Sequence, residues 1–128
     1  AAIFAAYNGN EVHLFEKNEK LGKKIYITGK GRCNITNACF DIDELISNIP
    51  VNPRFLYSAF SAFMPYDIIA LMEDLGVPTK IERGNRVFPV SDKSVDIVDT
   101  LVKAVQKNCN IIMYSNRKSS PFGLLFYN

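Results

Sequence analysis

Residues 1 to 16 read Ala-Ala-Ile-Phe-Ala-Ala-Tyr-Asn-Gly-Asn-Glu-Val-His-Leu-Phe-Glu, and this stretch decides the fold. Ala1 to Asn8 is a helix-forming run whose small side chains let a helix pack closely on a sheet, and Gly9 is a natural residue to end it. Glu11 to Glu16 is a short apolar run with an acid at its end, the pattern of a parallel strand covered on both faces. Helix, Gly turn, strand and terminal Glu together form the second half of a dinucleotide-binding βαβ unit. In such a unit an acidic residue about 20 positions after the Gly-rich turn bonds the ribose hydroxyls. Glu16 takes that place if the Gly-rich turn lies just before Ala1. Otherwise it is an ordinary charged strand end. His13, alone inside the run, reads as a satisfied core or half-buried residue.

Outward from this unit, residues 21 to 37 read Leu-Gly-Lys-Lys-Ile-Tyr-Ile-Thr-Gly-Lys-Gly-Arg-Cys-Asn-Ile-Thr-Asn. Gly22, Gly29 and Gly31 free the backbone for positive φ and close approach to a ligand. Asn34, Thr36 and Asn37 bring short polar groups. Glycines among cations and short amides suit a phosphate or a flat polar heterocycle, although many loops of this composition are solvated surface turns. From Glu16 to Arg32 the chain carries net charge +4, against −2 for the remainder. The positive field therefore sits on the Gly-rich stretch and suits an anionic ligand.

Composition bounds the rest. A chain of 128 residues, 48% hydrophobic, supports one modest core. No apolar run suggests a membrane span, and a net charge of +2 does not by itself imply a nucleic-acid partner. The three cysteines, Cys33, Cys39 and Cys109, have no C-x-x-C spacing, which speaks against zinc and against a disulfide framework. With a single His, a His-based metal site is not expected. A reducing, cytoplasmic compartment is.

Further along, Cys39 to Ile49 reads as a loop and short helix, broken by Pro50 and Pro53. Arg54 to Phe63 reads as a helix whose stripe Phe55, Leu56, Ala59, Phe60 and Phe63 enters the core. Pro65 opens a second helix with Ile68, Leu71, Met72 and Leu75 inward, ended by Gly76. These helices form an excursion at about 41–76 within the α/β order. Pro78 to Glu82 and Arg86 to Val90 flank the turn signal Arg83-Gly84-Asn85 and read as a β-hairpin. Arg83 and Arg86 are ligand-facing or, more simply, surface turn charges. Ser91 reads as the N-cap of a helix running to about Lys107, with Asp92 near its dipole and Val95, Val98, Val102 and Val105 on one face. Asn108 to Tyr114 reads as a buried parallel strand, and residues 115–128 as an irregular tail. The chain lacks an initial Met and ends on apolar residues, and a first strand and a C-terminal part are expected beyond its two ends.

Three pieces, Leu-Phe-Glu-Lys at 14 to 17, the stretch at 21 to 37, and Gly-Asn-Arg-Val-Phe-Pro-Val-Ser-Asp-Lys-Ser at 84 to 94, resemble the bacterial YhiN/BaiN-type flavoproteins. These are known as NAD(P)/FAD-dependent oxidoreductases or aminoacetone-oxidase-family FAD-binding enzymes. The resemblance covers about residues 1–114 and implies a partial Rossmann-like FAD-binding domain, glutathione-reductase-like, in an α/β fold of two dinucleotide-binding domains. It implies FAD as cofactor, with NAD(P)H as a candidate electron donor. Glu16 would bind the adenosine ribose and Lys17 would flank the adenine end. Lys24, Gly29, Gly31, Arg32, Cys33 and Asn34 would line the pyrophosphate and isoalloxazine side, with Arg32 suited to a phosphate or the electron-rich flavin edge. Cys33 beside Arg32 reads either as a low-pKa redox thiol or as a packed residue near the flavin; the second is expected.

Activities in that family are diverse: reduction of carbon–carbon double bonds in bile-acid-like steroids, dihydrouridine formation in ribosomal RNA, and aminoacetone oxidation. Neither a small-molecule nor an RNA substrate is selected by these residues, and catalytic residues and oligomeric state stay unassigned. Two departures stand out. Lys30 replaces the middle glycine of the usual Gly-Gly-Gly-Arg-Cys-Asn, which costs about 1 kcal/mol if that position needs positive φ. Arg117 to Pro121 interrupts the expected adenine-facing strand. Two other readings compete: a nucleic-acid-binding module using the basic stretch with Tyr26 and Phe40, and an inactive truncated product. A chain without the first Gly-rich turn is expected to hold FAD weakly, if at all.

Overall fold

The computed structural model describes residues 1–16, 18–107 and 111–115, the last as backbone. Two sheets organise them. In the first, β1 (Val12–Glu16) and β5 (Ile111–Ser115) pair in parallel, with Val12 opposite Ile111 and Glu16 opposite Ser115. In the second, β2 (Thr36–Asn37), β4 (Arg86–Pro89) and β3 (Thr79–Glu82) lie antiparallel in the order β2-β4-β3. The fold is α/β with a partial parallel sheet, as the first 16 residues predict.

Helix α1 (Ala2–Tyr7) turns its small face inward and buries Ile3 and Ala6. It ends before Gly9, whose φ of +78° continues the chain in a conformation that costs glycine little. Ile3 meets Ala104 and Val105 of α6 (Ser94–Gln106), with Leu14 of β1 and Leu101 packed against them. These helices therefore cover the Leu14 face of β1. Along the strand burial alternates: Val12, Leu14 and Glu16 are half-buried, while His13 and Phe15 are exposed. Coverage on both faces, expected from the apolar run, is not what the described residues show. His13 lies on the open face, 3.7 Å from the Glu11 carboxylate.

The larger core lies between the sheets' helices. Cys33, Met72, Val77 and Ile97 form its buried centre, and Ile25, Ile35, Ile68, Leu71 and Leu101 pack around it. Helix α5 (Pro65–Asp74) contributes Met72, Ile68 and Leu71 as its spacing predicts, and Gly76 follows at φ +88°. The hairpin β3–β4 forms with Gly84 and Asn85 supplying positive φ.

Three sequence expectations change. The helix expected over Arg54 to Phe63 is a 3₁₀ turn (Pro53–Leu56) followed by α4 (Tyr57–Ala62). Its stripe is not core: Phe55 is 84% exposed, and the segment lies against α3 (Ile42–Ser47), with Phe63 meeting Phe4 of α1 edge-on at 5.2 Å between ring centroids. By length and composition Pro53–Asp74 could cross a membrane, but the backbone breaks at Phe63 (φ −156°, ψ 102°) ahead of Pro65. Lastly, α6 begins at Ser94, not Ser91, and its buried face is Ile97, Val98, Ala104 and Val105. Ser91 cannot cap it because Asp92 sits at φ +57°, which turns the chain before the helix starts. The strand at 111–115 is parallel as expected; the tail from 116 onward, Cys109 and Lys17 lie outside the described residues.

Met72 is 1% exposed and at the centre of the larger cluster. Met72→Ala is expected to lower unfolding free energy by about 2–5 kcal/mol. Ile81→Ala, on a side chain 56% exposed, should change it by less than about 0.5 kcal/mol. Urea denaturation of the two variants checks the contrast.

Candidate functional site

The Gly-rich stretch is more structured than its composition suggests. Gly22 (φ +70°) leads into helix α2 (Lys23–Ile27), so Lys23 and Lys24 lie exposed on a helix and not on a loop. The chain then tightens into a turn over Thr28–Gly31. Gly29 (φ 56°, ψ 31°) and Lys30 (φ 58°, ψ 42°) are left-handed, followed by Gly31 at φ +85° and Cys33 at φ +62°. Three successive left-handed residues are what the two glycines allow. Lys30 does adopt the positive φ suspected at that position, at a cost of about 1–2 kcal/mol. Gly29 is required for space as well: a Cβ there would stand 2.9 Å from both Asn34 N and Phe88 Cε1. Gly31 is open, with only Tyr26 O within 4.0 Å. The turn is stitched by Arg32 N to Gly29 O (3.2 Å) and Cys33 N to Thr28 O (3.1 Å), and passes into the second sheet by Ile35 N to Val87 O (2.8 Å).

Arg32 points into a cluster of charges. Its Nε donates to Asp92 Oδ1 at 2.8 Å, and its Nη2 donates to the same oxygen and to Glu82 Oε1. Lys80 Nζ lies 2.7 Å from Asp92 Oδ2 and 3.5 Å from Glu82 Oε1. The guanidinium carbon sits 4.1 Å from the centroid of the Phe88 ring, within cation–π range. Two cations face two carboxylates, and the cluster is neutral. Arg32, through its hydrogen bond, holds the Glu82 carboxyl below the usual range; Lys80 and then Arg32 do the same for Asp92. Both cations are raised in return, Arg32 chiefly by Glu82 and Lys80 chiefly by Asp92.

The remaining expected site residues divide into two groups. Gly29, Gly31, Arg32, Cys33 and Asn34 come together around β4, and Lys24 lies one turn earlier. The Asn34 amide stands between Val87 O (3.3 Å) and Thr36 O (3.1 Å), so its nitrogen is the end facing them. Cys33 is 5% exposed and belongs to the core. Burial pushes its thiol up, against a smaller lowering by Thr28. The low-pKa alternative for Cys33 is therefore corrected: the Arg32 charge is turned to the carboxylates and does not activate the thiol. Glu16 belongs to the other sheet, at the carboxyl end of β1, where its Oε1 accepts from Asn18 N (2.8 Å) and Asn18 Nδ2 (2.6 Å).

Sequence reasoning does not single out Glu82, Lys80 or Phe88 as site residues, and it reads Asp92 as a helix-dipole charge. The motif at 84 to 94 holds Phe88 and Asp92, but only the fold brings them to Arg32, 60 positions from Asp92 and 50 from Glu82.

A parallel strand pair with helices packed on one face and a carboxylate at the strand's carboxyl end is the arrangement of part of a Rossmann-like domain. The profile of the HI0933-like protein Rossmann domain matches residues 1–120, and the chain belongs to that family, the YhiN/BaiN-type flavoproteins. It is similar to the 3-dehydro-bile acid delta(4,6)-reductase of Clostridium scindens, 33% identical over 103 residues, 79% of this chain and 24% of the relative. It is similar to the ribosomal RNA dihydrouridine synthase of Escherichia coli K12, 33% identical over 106 residues, 83% of this chain and 26% of the relative. The synthase of the same name from Haemophilus influenzae is 33% identical over 69 residues, 54% of this chain and 16% of the relative. The chain thus spans about a quarter of the length of the first two.

Gly29→Ala combines a positive φ with two 2.9 Å encounters and is expected to cost about 2–4 kcal/mol, read as a lowered urea midpoint. A second outcome follows from the charge cluster. Both carboxyls are depressed in the folded state, so the stability they contribute is complete above the ordinary carboxyl range of about pH 4 and is lost as pH falls through their lowered values. Arg32→Met should lower the melting temperature at pH 7, and the gap to the native protein should narrow below about pH 4; thermal melts across pH 3–7 check this.

Proposed function

We propose that this chain forms part of the FAD-binding domain of an oxidoreductase. Membership of the flavoprotein family supports it, and the observation that carries it is Glu16. A carboxylate at the carboxyl end of a parallel strand, oriented by Asn18, has the chemistry and the place to accept both hydroxyls of a ribose. The exposed lysines Lys23, Lys24 and Lys30 suit the pyrophosphate, and the open side of Gly31 lets backbone approach a ligand. Arg32 fits the group differently than its sequence suggests. Its charge is already balanced, so it is better suited to orienting the turn than to pairing with a phosphate. FAD, when bound, supplies hydride or electron transfer.

The chain's residues then bind and orient the cofactor, and Cys33, packed in the core, takes no part in the redox chemistry. NAD(P)H is the proposed electron donor. By their names, the two better-covered relatives yield reduced products, a bile-acid reductase product and a dihydrouridine, and saturation of a carbon–carbon double bond is the reaction class this reading favours. Among the described residues Cys33 and Cys39 are free and buried, which fits a reducing cytoplasmic setting.

Flavin fluorescence titration of the 128-residue chain tests the reading. Weak quenching by the native chain, reduced about tenfold or more in affinity by Glu16→Ala, is the expected result. Quenching that is indifferent to Glu16→Ala overturns it.

A further inference from the structure

The turn from Gly29 to Cys33 needs something to hold it. Four of its five residues have positive φ, two of them not glycine, and its own hydrogen bonds of 3.2 and 3.1 Å are at the long end of the normal range. The strongest ties leave from Arg32, the one residue of the five with an ordinary right-handed backbone. They run to the end of β3 at Glu82 and to the turn before α6 at Asp92. Asp92 is itself held at φ +57°, a conformation Asp tolerates better than most residues, with its two oxygens divided between Arg32 and Lys80. Phe88 closes the arrangement from below, under the guanidinium and against Gly29. Behind the turn lies the Cys33 side chain, shut into the core.

We propose that Glu82 and Asp92 are positioning residues for the Gly29-to-Cys33 turn. Acting through Arg32, they hold the turn in its left-handed shape and keep Cys33 closed off from solvent. Lys80 balances the two carboxylates and does not hold the turn itself. The consequence for cofactor binding rests on the flavin reading above; the mechanical role does not.

The Cys33 thiol reports on the turn directly. The native chain and the variants Asp92→Asn, Glu82→Gln, Arg32→Met and Arg32→Met/Asp92→Asn are treated with a maleimide under native conditions, and each cysteine is followed by peptide mass spectrometry. Asp92→Asn keeps the tolerance of positive φ and removes only the charge. Local opening of the turn should raise the Cys33 labelling rate about tenfold in each single variant. Cys39, buried beyond β2 with its own bond to Asp41 O, should be labelled at the native rate. The double variant should match Arg32→Met alone, because the two residues act in one chain of contacts.

If Cys33 and Cys39 accelerate together, the substitutions loosen the whole fold and the proposal fails. It fails also if Asp92→Asn adds its full effect to Arg32→Met, since Asp92 then does not act through Arg32. Repeating the FAD titration on the same variants separates the two readings. Selective Cys33 exposure with no FAD binding by the native chain would retain the positioning role and remove the flavin reading; FAD binding with unchanged Cys33 labelling would do the reverse.

Discussion

The guanidinium of Arg32 is the point on which the second half of the structure hangs. It joins three segments remote in sequence: the Gly-rich turn, the end of strand β3 at Glu82 and the entry to helix α6 at Asp92. Phe88, from the strand between, provides the surface on which it lies. A planar group with donors along its edges can serve two carboxylates while its face lies flat on a ring, a fixed geometry that a lysine ammonium lacks. The cluster is partly exposed, with side-chain exposures of 30–42%. Its strength is therefore that of a network at the edge of water and not of a buried ion pair.

That constraint has a chemical consequence. A cation whose field is matched by two carboxylates does little to attract a phosphate. The positive field of the segment is left to the lysines of α2 and the turn, which are exposed. The carboxylate proposed to meet the ribose stands apart, on the parallel sheet. Helix α6 ties the two regions: its C-terminal half packs with α1 and Leu14, its N-terminal Ser94 donates to Tyr26 O of α2 at 3.1 Å, and Ile97 enters the core beside Cys33. The same helix thus sets the parallel strand that carries Glu16 and the segment that carries the turn.

Much of this was legible along the chain. Small residues, a Gly stop, an apolar run and a closing acid announced α1, β1 and Glu16, because each is a local rule of backbone geometry and burial. The hairpin around Gly84 and Asn85 and the helix opened by Pro65 were legible for the same reason. The suspicion that Lys30 occupies a position of positive φ followed from the glycine usual there, and the backbone bears it out. What misled was also local. Ser91 has the chemistry of a cap, yet the chain is still turning through Asp92 when it passes. The aromatic stripe after Pro53 has helical spacing, but spacing cannot say whether a partner covers it, and Phe55 lies in the open.

The sequence by itself determined the class of the protein. Periodicity, glycine placement and the terminal acid of β1 point to an α/β domain, and the motifs at 14 to 17, 21 to 37 and 84 to 94 carry the resemblance to a Rossmann-like flavoprotein family, since these signals act over a few residues and need no distant partner. Only the tertiary structure decided what the Gly-rich stretch does with its charges and its thiol. Arg32 and Cys33 are adjacent in the chain, and adjacency left an activated thiol open beside the packed residue that was expected; in the fold their side chains part, one to Glu82 and Asp92 and the other into the core. The reason is physical. Charge pairing and burial depend on which groups meet across 50 or 60 residues of intervening chain, and no local pattern encodes that meeting.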